Sequence, residues 1–108
     1  MAGRILYVEY WVDGKKVTEV PEGATVEVRV VFSVDARSHV VVCVEVDDRG
    51  RTCTPSYELD PDTYFVAFQW VERGPVGTYP LKVWLFVDRQ MDYKEFTYTV
   101  RKATEEER

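Results

Sequence analysis

The chain has 108 residues, a length that fits one domain able to bury roughly two thirds of the surface exposed in its unfolded state. Hydrophobic residues make up 45% of the sequence and charged residues 31%, a balance that excludes intrinsic disorder. The net charge is −5 and no basic cluster is longer than Lys15-Lys16, so nucleic acid is not an expected partner. Neither a membrane-spanning apolar run nor the apolar core of a signal peptide is present, which predicts a soluble protein.

Apolar and polar residues alternate along most of the chain, and a period of two is typical of strands buried on one face. The clearest strand follows Pro21-Glu22-Gly23. Its core-facing residues are predicted to be Val26, Val28, Val30, Phe32 and Val34. Asp13-Gly14 and the segment 47–50 have the composition of hairpin turns. In chain order the predicted strands cover residues 5–12, 15–20, 24–35, 40–46, 51–58, 63–72, 79–87 and a last segment with Phe96, Tyr98 and Val100.

Short strands separated by turns every eight to twelve residues are typical of a two-layer sandwich. The sequence therefore predicts an all-β protein, an immunoglobulin-like antiparallel β-sandwich of seven or eight strands, with a barrel as the alternative. Residues 1–101 are expected to form a single domain, and the charged residues 102–108 a tail. Pro55 interrupts the strand 51–58, which places that strand at a sheet edge.

Two short motifs resemble prokaryotic immunoglobulin-like surface modules of the CARDB or related cell-adhesion type. They are Pro21-Glu22-Gly23 before the alternating strand, and Gly77-Thr78-Tyr79-Pro80-Leu81-Lys82-Val83 near the end. The resemblance covers residues 5–101 and implies a non-enzymatic spacer or adhesion unit of a secreted, extracellular protein, with no catalytic residues. Tyr79 also occupies the place of a tyrosine corner, where its hydroxyl would bond a nearby backbone carbonyl.

Cys43 and Cys53 lie on the two arms of one predicted hairpin, and their pairing depends on its register. If residues 48–50 form the loop, Cys53 lies opposite Glu45, and the two cysteines are diagonal neighbours too far apart for easy closure. A loop centred on Asp48 places them face to face. A disulfide and two free thiols are both open at this point, and two thiolates alone are too few to bind zinc.

Several apolar side chains are predicted to point away from the core. Trp84 and Phe86 face outward from one strand, and Val41 and Cys43 face outward from its expected neighbour. Together they predict an exposed apolar patch for a protein partner or a second copy of the chain. Alternatively, a loop, the tail or the hairpin of Trp11 covers the patch, or one strand has the opposite facing.

The acidic groups and the single histidine give only weak evidence for a metal site or a catalytic site. Carboxylates at residues 47–48 and at Glu58, Asp60 and Asp62 could approach a calcium ion, but the preference of aspartate for turns explains them equally well. His39 is expected on the surface, with no nucleophile near it. No metal site and no cofactor is predicted.

The sequence thus predicts a non-enzymatic structural, adhesion or protein-interaction module, because no catalytic set of residues stands out and a sandwich filled by Val, Phe and Trp leaves little room for a catalytic pocket. A carbohydrate-binding module that stacks surface aromatics on sugar rings is the second hypothesis. A designed β-sandwich scaffold or binder is the third, since the binary pattern is consistent throughout and the chain ends in Glu-Glu-Glu-Arg. Asparagine is absent, a bias of thermostable proteins and of computed sequences.

Overall fold

A computed structural model describes residues 2–108, and nearly the whole chain is extended. The element bounds are β1 Gly3–Val12, β2 Lys15–Val17, β3 Val20–Pro21, β4 Thr25–Val34, β5 Ser38–Val46, β6 Thr52–Cys53, β7 Tyr57–Leu59, β8 Asp62–Val71, β9 Gly77–Val87, β10 Gln90–Arg101 and a 3₁₀ helix Glu105–Glu107. Among these residues, no helix has the length and apolar character needed to cross a membrane.

The strands form two sheets that pack face to face. The smaller sheet has the order β2-β1-β4-β8, and the larger has the order β3-β10-β9-β5-β6. β7 also pairs with β5, along a different part of that strand from β6. Neighbouring strands are antiparallel except for the short parallel pair of β3 and β10. The predicted all-β, immunoglobulin-like β-sandwich is confirmed.

The strand number is ten because two of the predicted strands divide. The segment 15–20 forms β2 in the small sheet and then crosses to the large sheet as β3, so its two ends pair with different partners. The segment 51–58 divides at Pro55 into β6 and β7, both paired with β5 at the sheet edge. Proline has no N–H for a ladder bond, which explains the break.

The core lies between the valine-rich inner faces of the two sheets. All five residues predicted to face inward from β4 are buried, and so are the alternate residues of β5 and β9. The latter are Val40, Val42, Val44 and Val46 on β5, and Leu81, Val83, Leu85 and Val87 on β9. The turn Asp13-Gly14 has positive φ at both residues, 51° and 73°, as the Asp-Gly dipeptide predicts for a tight hairpin.

A β-bulge in β1 changes which residues of that strand face the core. Ile5 pairs with Phe32 and faces inward, but the register shifts before Tyr7, which pairs with Val31 and faces outward. From Val8 onward the even-numbered residues face inward. One extra residue, Leu6, therefore separates two halves of the strand with opposite parity.

Side chains of β10 close the side of the sandwich next to this bulge. The Ile5 N–H donates to the Asp92 carboxylate at 2.7 Å, and the Lys94 ammonium donates to the Ile5 carbonyl at 2.7 Å. Further along, the Tyr10 hydroxyl donates to the Thr97 carbonyl at 2.7 Å. These contacts link the edges of β1 and β10 without a continuous ladder between the sheets.

Residues beyond β10 hold a short ordered segment. Arg101 pairs with both carboxylate oxygens of Glu107 at 2.7 Å, and the Thr104 N–H donates to the same carboxylate at 2.8 Å. Because of these bonds the pKa of Glu107 is lowered to about 2. The charged tail thus folds back on the end of the last strand.

Candidate functional site

The four residues of the predicted outward patch lie on adjacent strands, as expected. In the ladder of β5 and β9, Val41 pairs with Phe86 and Cys43 pairs with Trp84. Their side chains point away from the core on the outer face of the large sheet. Exposure is lower than predicted, since Val41, Trp84 and Phe86 are half-buried and Cys43 is only 2% exposed.

The chain itself covers part of this patch. The Arg51 guanidinium lies 3.9 Å from the centroid of the Trp84 ring, and the Tyr93 ring packs against it with centroids 5.3 Å apart. Cys43 is excluded from any contact surface because it is buried and bonded to Cys53. The proposed role of Cys43 as an exposed contact residue was therefore wrong.

The outer face of the large sheet extends further than the sequence indicated. Met91 pairs with Phe86 and Tyr93 pairs with Trp84, and their side chains are 52% and 37% exposed. The predicted last strand was described only by Phe96, Tyr98 and Val100, so both residues were missed. Met91 and Tyr93 share a face with Glu95 and Thr97, because alternate residues of a strand point the same way. Extending this alternation back from Thr97 would have predicted both residues.

The two cysteines form a disulfide. Cys43 pairs directly with Cys53 across the β5 and β6 ladder, with Cα atoms 4.0 Å apart. The hairpin therefore has the register centred on Asp48, one of the two considered, and free thiols are absent from the described residues. Positive φ at Asp47 and Gly50, 53° and 106°, produces this loop.

A second candidate surface, the aromatic cleft, lies on the outer face of the small sheet. It is lined by Tyr7, Glu9, Arg29, Val31, Thr63, Tyr64 and Phe65 and has a volume of about 500 Å³. Tyr7 and Phe65 pair with Val31 from its two sides, and the two residues are 49% and 57% exposed. Two open aromatic rings therefore flank a nearly buried valine at the bottom of the cleft.

Charged side chains form one wall of the aromatic cleft. The Arg29 guanidinium lies 4.2 Å from the Trp11 ring centroid and 5.2 Å from the Phe65 ring centroid, so it is held between two aromatic planes. Its Nε donates to Glu27 at 2.5 Å. Stacking and the ion pair together fix its orientation, since a guanidinium binds both through its plane and through its N–H groups.

Glu9 supplies a fixed negative charge at the same wall. Its carboxylate accepts from Trp11 Nε1 at 3.1 Å and lies 3.3 Å from the Lys16 ammonium. The hydrogen bond from Trp11 lowers the pKa of Glu9, and the positive charges of Lys16 and Arg29 lower it further. The cleft thus presents one ordered cation and one ordered anion beside its aromatic rings.

Glu72 forms the centre of a separate polar cluster at one end of the sandwich. The side chain is fully buried and accepts from Arg49 at 2.8 Å, from the Tyr98 hydroxyl at 2.7 Å and from the Gly74 N–H at 2.8 Å. Trp70 Nε1 donates to the Tyr98 hydroxyl at 3.2 Å. Donors within the protein therefore satisfy both oxygens of the carboxylate, and the role of Glu72 is structural.

The remaining residues considered from sequence take no part in either surface. Glu58 and Asp60 pair with Arg37, and the exposed His39 has its Nε2 3.8 Å from Glu58. No cluster of three or more potential metal ligands occurs among residues 2–108. Near the other end of the chain, the Tyr79 hydroxyl donates to the Pro75 carbonyl at 2.6 Å, so the predicted tyrosine corner forms.

Comparison with known proteins bears on the fold. No family model matches the sequence, and no curated protein does. Among solved structures, the chain is similar to the C-terminal domain of Wzt, with a TM-score of 0.78 and 10% sequence identity. The likeness covers 95% of this chain and 75% of that domain's chain.

Similarity at 10% identity supports the β-sandwich architecture and carries no information on the roles of individual residues. The resemblance to CARDB-type modules and the expectation of a designed sequence both stay predictions. Of the two surfaces, the aromatic cleft has the greater exposure of its rings and the better-ordered polar groups.

Proposed function

We propose that this chain is a non-enzymatic carbohydrate-binding module and that its ligand occupies the aromatic cleft. The observation that carries the proposal is the pair of exposed rings, Tyr7 and Phe65, on either side of Val31. Tyr7 on β1 and Phe65 on β8 are separated by β4, so their backbones lie about 10 Å apart. A sugar ring has one apolar face of C–H groups, which an aromatic ring binds by burying apolar area.

The polar wall suits the hydroxyl groups of a sugar. Arg29 can donate and the Glu9 carboxylate can accept, and both are oriented by contacts made within the protein. A few fixed polar groups in a mainly apolar concave site are the usual arrangement for orienting a small ligand. Because the groups are fixed before binding, little side-chain entropy is lost when the sugar binds.

The same residues give no support to a glycosidase. A general acid for glycoside cleavage needs a carboxyl group with a raised pKa. The pKa of Glu9 is instead lowered by Trp11, Lys16 and Arg29, and Glu27 is bonded to Arg29. The Glu9 carboxylate is therefore suited to positioning charge and not to delivering a proton.

Titration with polysaccharides tests the proposal. Trp11 contacts Arg29 and Glu9 of the cleft, whereas Trp70 packs against the core and Trp84 lies on the opposite outer face. Binding should therefore change the fluorescence of Trp11, and the Trp11→Phe variant should lose the signal. The Tyr7→Ala and Phe65→Ala variants should each weaken binding at least about tenfold in calorimetry. Met91→Ala, on the opposite face, is the matched control and should bind normally. If no polysaccharide of a broad panel binds, or if the two cleft variants bind like the control, the proposal is wrong.

Protein contact through the outer face of the large sheet is the second candidate. It is supported by the exposed side chains of Met91 and Tyr93 next to Trp84 and Phe86. Met and Tyr are enriched where proteins meet. A Met91→Lys variant that lost a structural or adhesion partner, with sugar binding unchanged, would favour this candidate.

A further inference from the structure

The sandwich has free strand edges, and most of them carry features that prevent pairing with another chain. β2 is three residues long and has two lysines, and the facing edges of β1 and β10 are linked by Asp92 and Lys94. β6 and β7 are two and three residues long, with Pro55 between them. Short strands, edge lysines, proline and cross-edge contacts are common protections against edge pairing.

β8 lacks all of these protections. It is ten residues long, and from Thr63 to Val71 it contains no charged residue, no proline and no glycine. Its ladder with β4 runs from one end to the other without a bulge. Such an edge is a template for a further strand.

The hydrogen bonds at the end of the ladder show which residues of β8 point outward. The Glu72 N–H donates to the Ala24 carbonyl at 2.8 Å, so Glu72 is turned toward β4. Because the direction alternates along an antiparallel strand, the other even-numbered residues of β8 also bond to β4. The N–H and C=O groups of the odd-numbered residues therefore point away from the sheet. These are Thr63, Phe65, Ala67, Gln69 and Val71.

We propose that β8 pairs with β8 of a second copy of this chain, antiparallel about a two-fold axis at Ala67. Full overlap requires this register, since it places Thr63 opposite Val71 and Phe65 opposite Gln69. It forms about eight backbone hydrogen bonds between the copies, because the Thr63 N–H at each end already donates to the Asp62 carboxylate at 2.7 Å. The smallest side chain of the strand interior, Ala67, lies on the axis, so the two copies of this residue meet without a clash. The two small sheets join into one sheet of eight strands, and the pairing closes after two copies because the interface is isologous.

Two features of β8 favour a second copy over an unrelated strand. The inward side chains Tyr64, Val66 and Trp70 are only half-buried, and the same register places Tyr64 of one copy opposite Trp70 of the other. The run from Thr63 to Val71 carries no charge, so pairing the strand with itself brings no like charges together along it. At each end Glu72 lies opposite Asp62 of the other copy, and Glu72 is already neutralised by Arg49.

Cysteine cross-linking of the whole chain tests the register. In the proposed dimer, Ala67→Cys places two new thiols directly opposite each other, and these should form an intermolecular disulfide. Gln69→Cys is the matched control, because its thiol lies opposite Phe65 of the other copy and far from the second introduced thiol. On non-reducing gels the Ala67→Cys variant should cross-link at least about tenfold faster than the control. Equal rates for the two variants would overturn the proposal.

Analytical ultracentrifugation from low micromolar to near-millimolar protein tests the dimer without a cross-link. Ala67→Lys places two like charges face to face and should raise the dimer Kd at least about tenfold, whereas Ala67→Ser should leave it unchanged. Ala67 is exposed and lies opposite Arg29 in the ladder with β4, so Ala67→Lys places one like-charge pair in the monomer, and its melting curve shows that the fold is kept, whereas Ala67→Ser should melt like the parent chain. A monomer at every concentration, or a dimer indifferent to Ala67→Lys, would show that β8 does not pair. The result is independent of sugar binding, which is measured separately.

Discussion

The Tyr98 hydroxyl donates to the Glu72 carboxylate at 2.7 Å, and both side chains are fully buried. Tyr98 comes from β10 of the large sheet, and Glu72 directly follows β8 of the small sheet. Burial and the bond to Glu72 raise the pKa of Tyr98, so it stays a neutral donor. The bond is thus a polar link between two otherwise apolar layers.

Replacing Glu72 with alanine should destabilise the fold strongly. The change removes the acceptor of Arg49, Tyr98 and Gly74 in one step, and loss of one partner of a buried ion pair costs about 3 to 5 kcal/mol. Since the Arg49 side chain is about a third exposed and can still meet water, we expect the lower end of that range. Urea denaturation measures the change, with Glu106→Ala in the tail as a control that should leave the midpoint unchanged.

The same cluster predicts a dependence of stability on pH. Burial raises the pKa of Glu72, but bonds from Arg49, Tyr98 and Gly74 outweigh burial and hold the pKa below its usual value of 4.5. Glu72 therefore stabilises the fold fully above pH 4.5, and this contribution is lost as the pH falls toward its lower folded pKa. Urea midpoints across this range should fall more steeply for the parent chain than for Glu72→Gln. Parallel curves would show that the carboxylate is not responsible.

Reduction of the disulfide should lower stability without unfolding the sandwich. Cys43 and Cys53 are ten residues apart, and the chain-entropy model assigns a loop of this size about 3 kcal/mol. Intact mass before and after reduction identifies the bond, and urea curves with and without reductant measure its contribution. An unchanged mass on reduction would contradict the pairing.

Asp92→Ala should destabilise the chain by about 1 to 3 kcal/mol, because the Ile5 N–H then loses its acceptor in a partly buried place. Glu95→Ala lies on the same strand, where its carboxylate accepts from the exposed Tyr93 hydroxyl, and serves as the matched control. Thermal melting of the two variants measures the difference. Equal melting temperatures would mean that water satisfies the Ile5 N–H.

Arg29→Lys should weaken sugar binding about tenfold although it keeps the charge. A lysine ammonium cannot lie flat between Trp11 and Phe65 as the guanidinium does, so its position in the cleft is less fixed. Calorimetric titration compares the variant with Lys16→Arg, a charge-preserving change at the far side of Glu9. Normal affinity for Arg29→Lys would show that stacking does not position the ligand.

Much of the architecture follows from the sequence because period-two patterns are strong in β4, β5 and β9. The pairing of Val41 with Phe86 and of Cys43 with Trp84 required only parity and the strand order of an immunoglobulin-like sandwich. Exposure was harder to predict, since the cover of Trp84 comes from Arg51, which lies in the loop just before β6.

The aromatic cleft could not be predicted, since its position depends on the bulge in β1. A continuous period-two pattern from Ile5 places Tyr7 in the core, and composition does not mark where a bulge occurs. The hairpin register was open for a similar reason. The observed loop turns Arg49 toward Glu72, which lies 23 residues further along the chain, and a local pattern does not contain that contact.

The extra residue at Leu6 makes the length of β1 as important as its composition. Adding or removing one residue in a surface loop is usually tolerated, because the flanking strands keep their facing. The same change within residues 3–7 would reverse one half of the strand, so that either Ile5 would leave the interior or Tyr7 would leave the outer face. Chains of this type should therefore conserve the number of residues between those two positions more strictly than their identity.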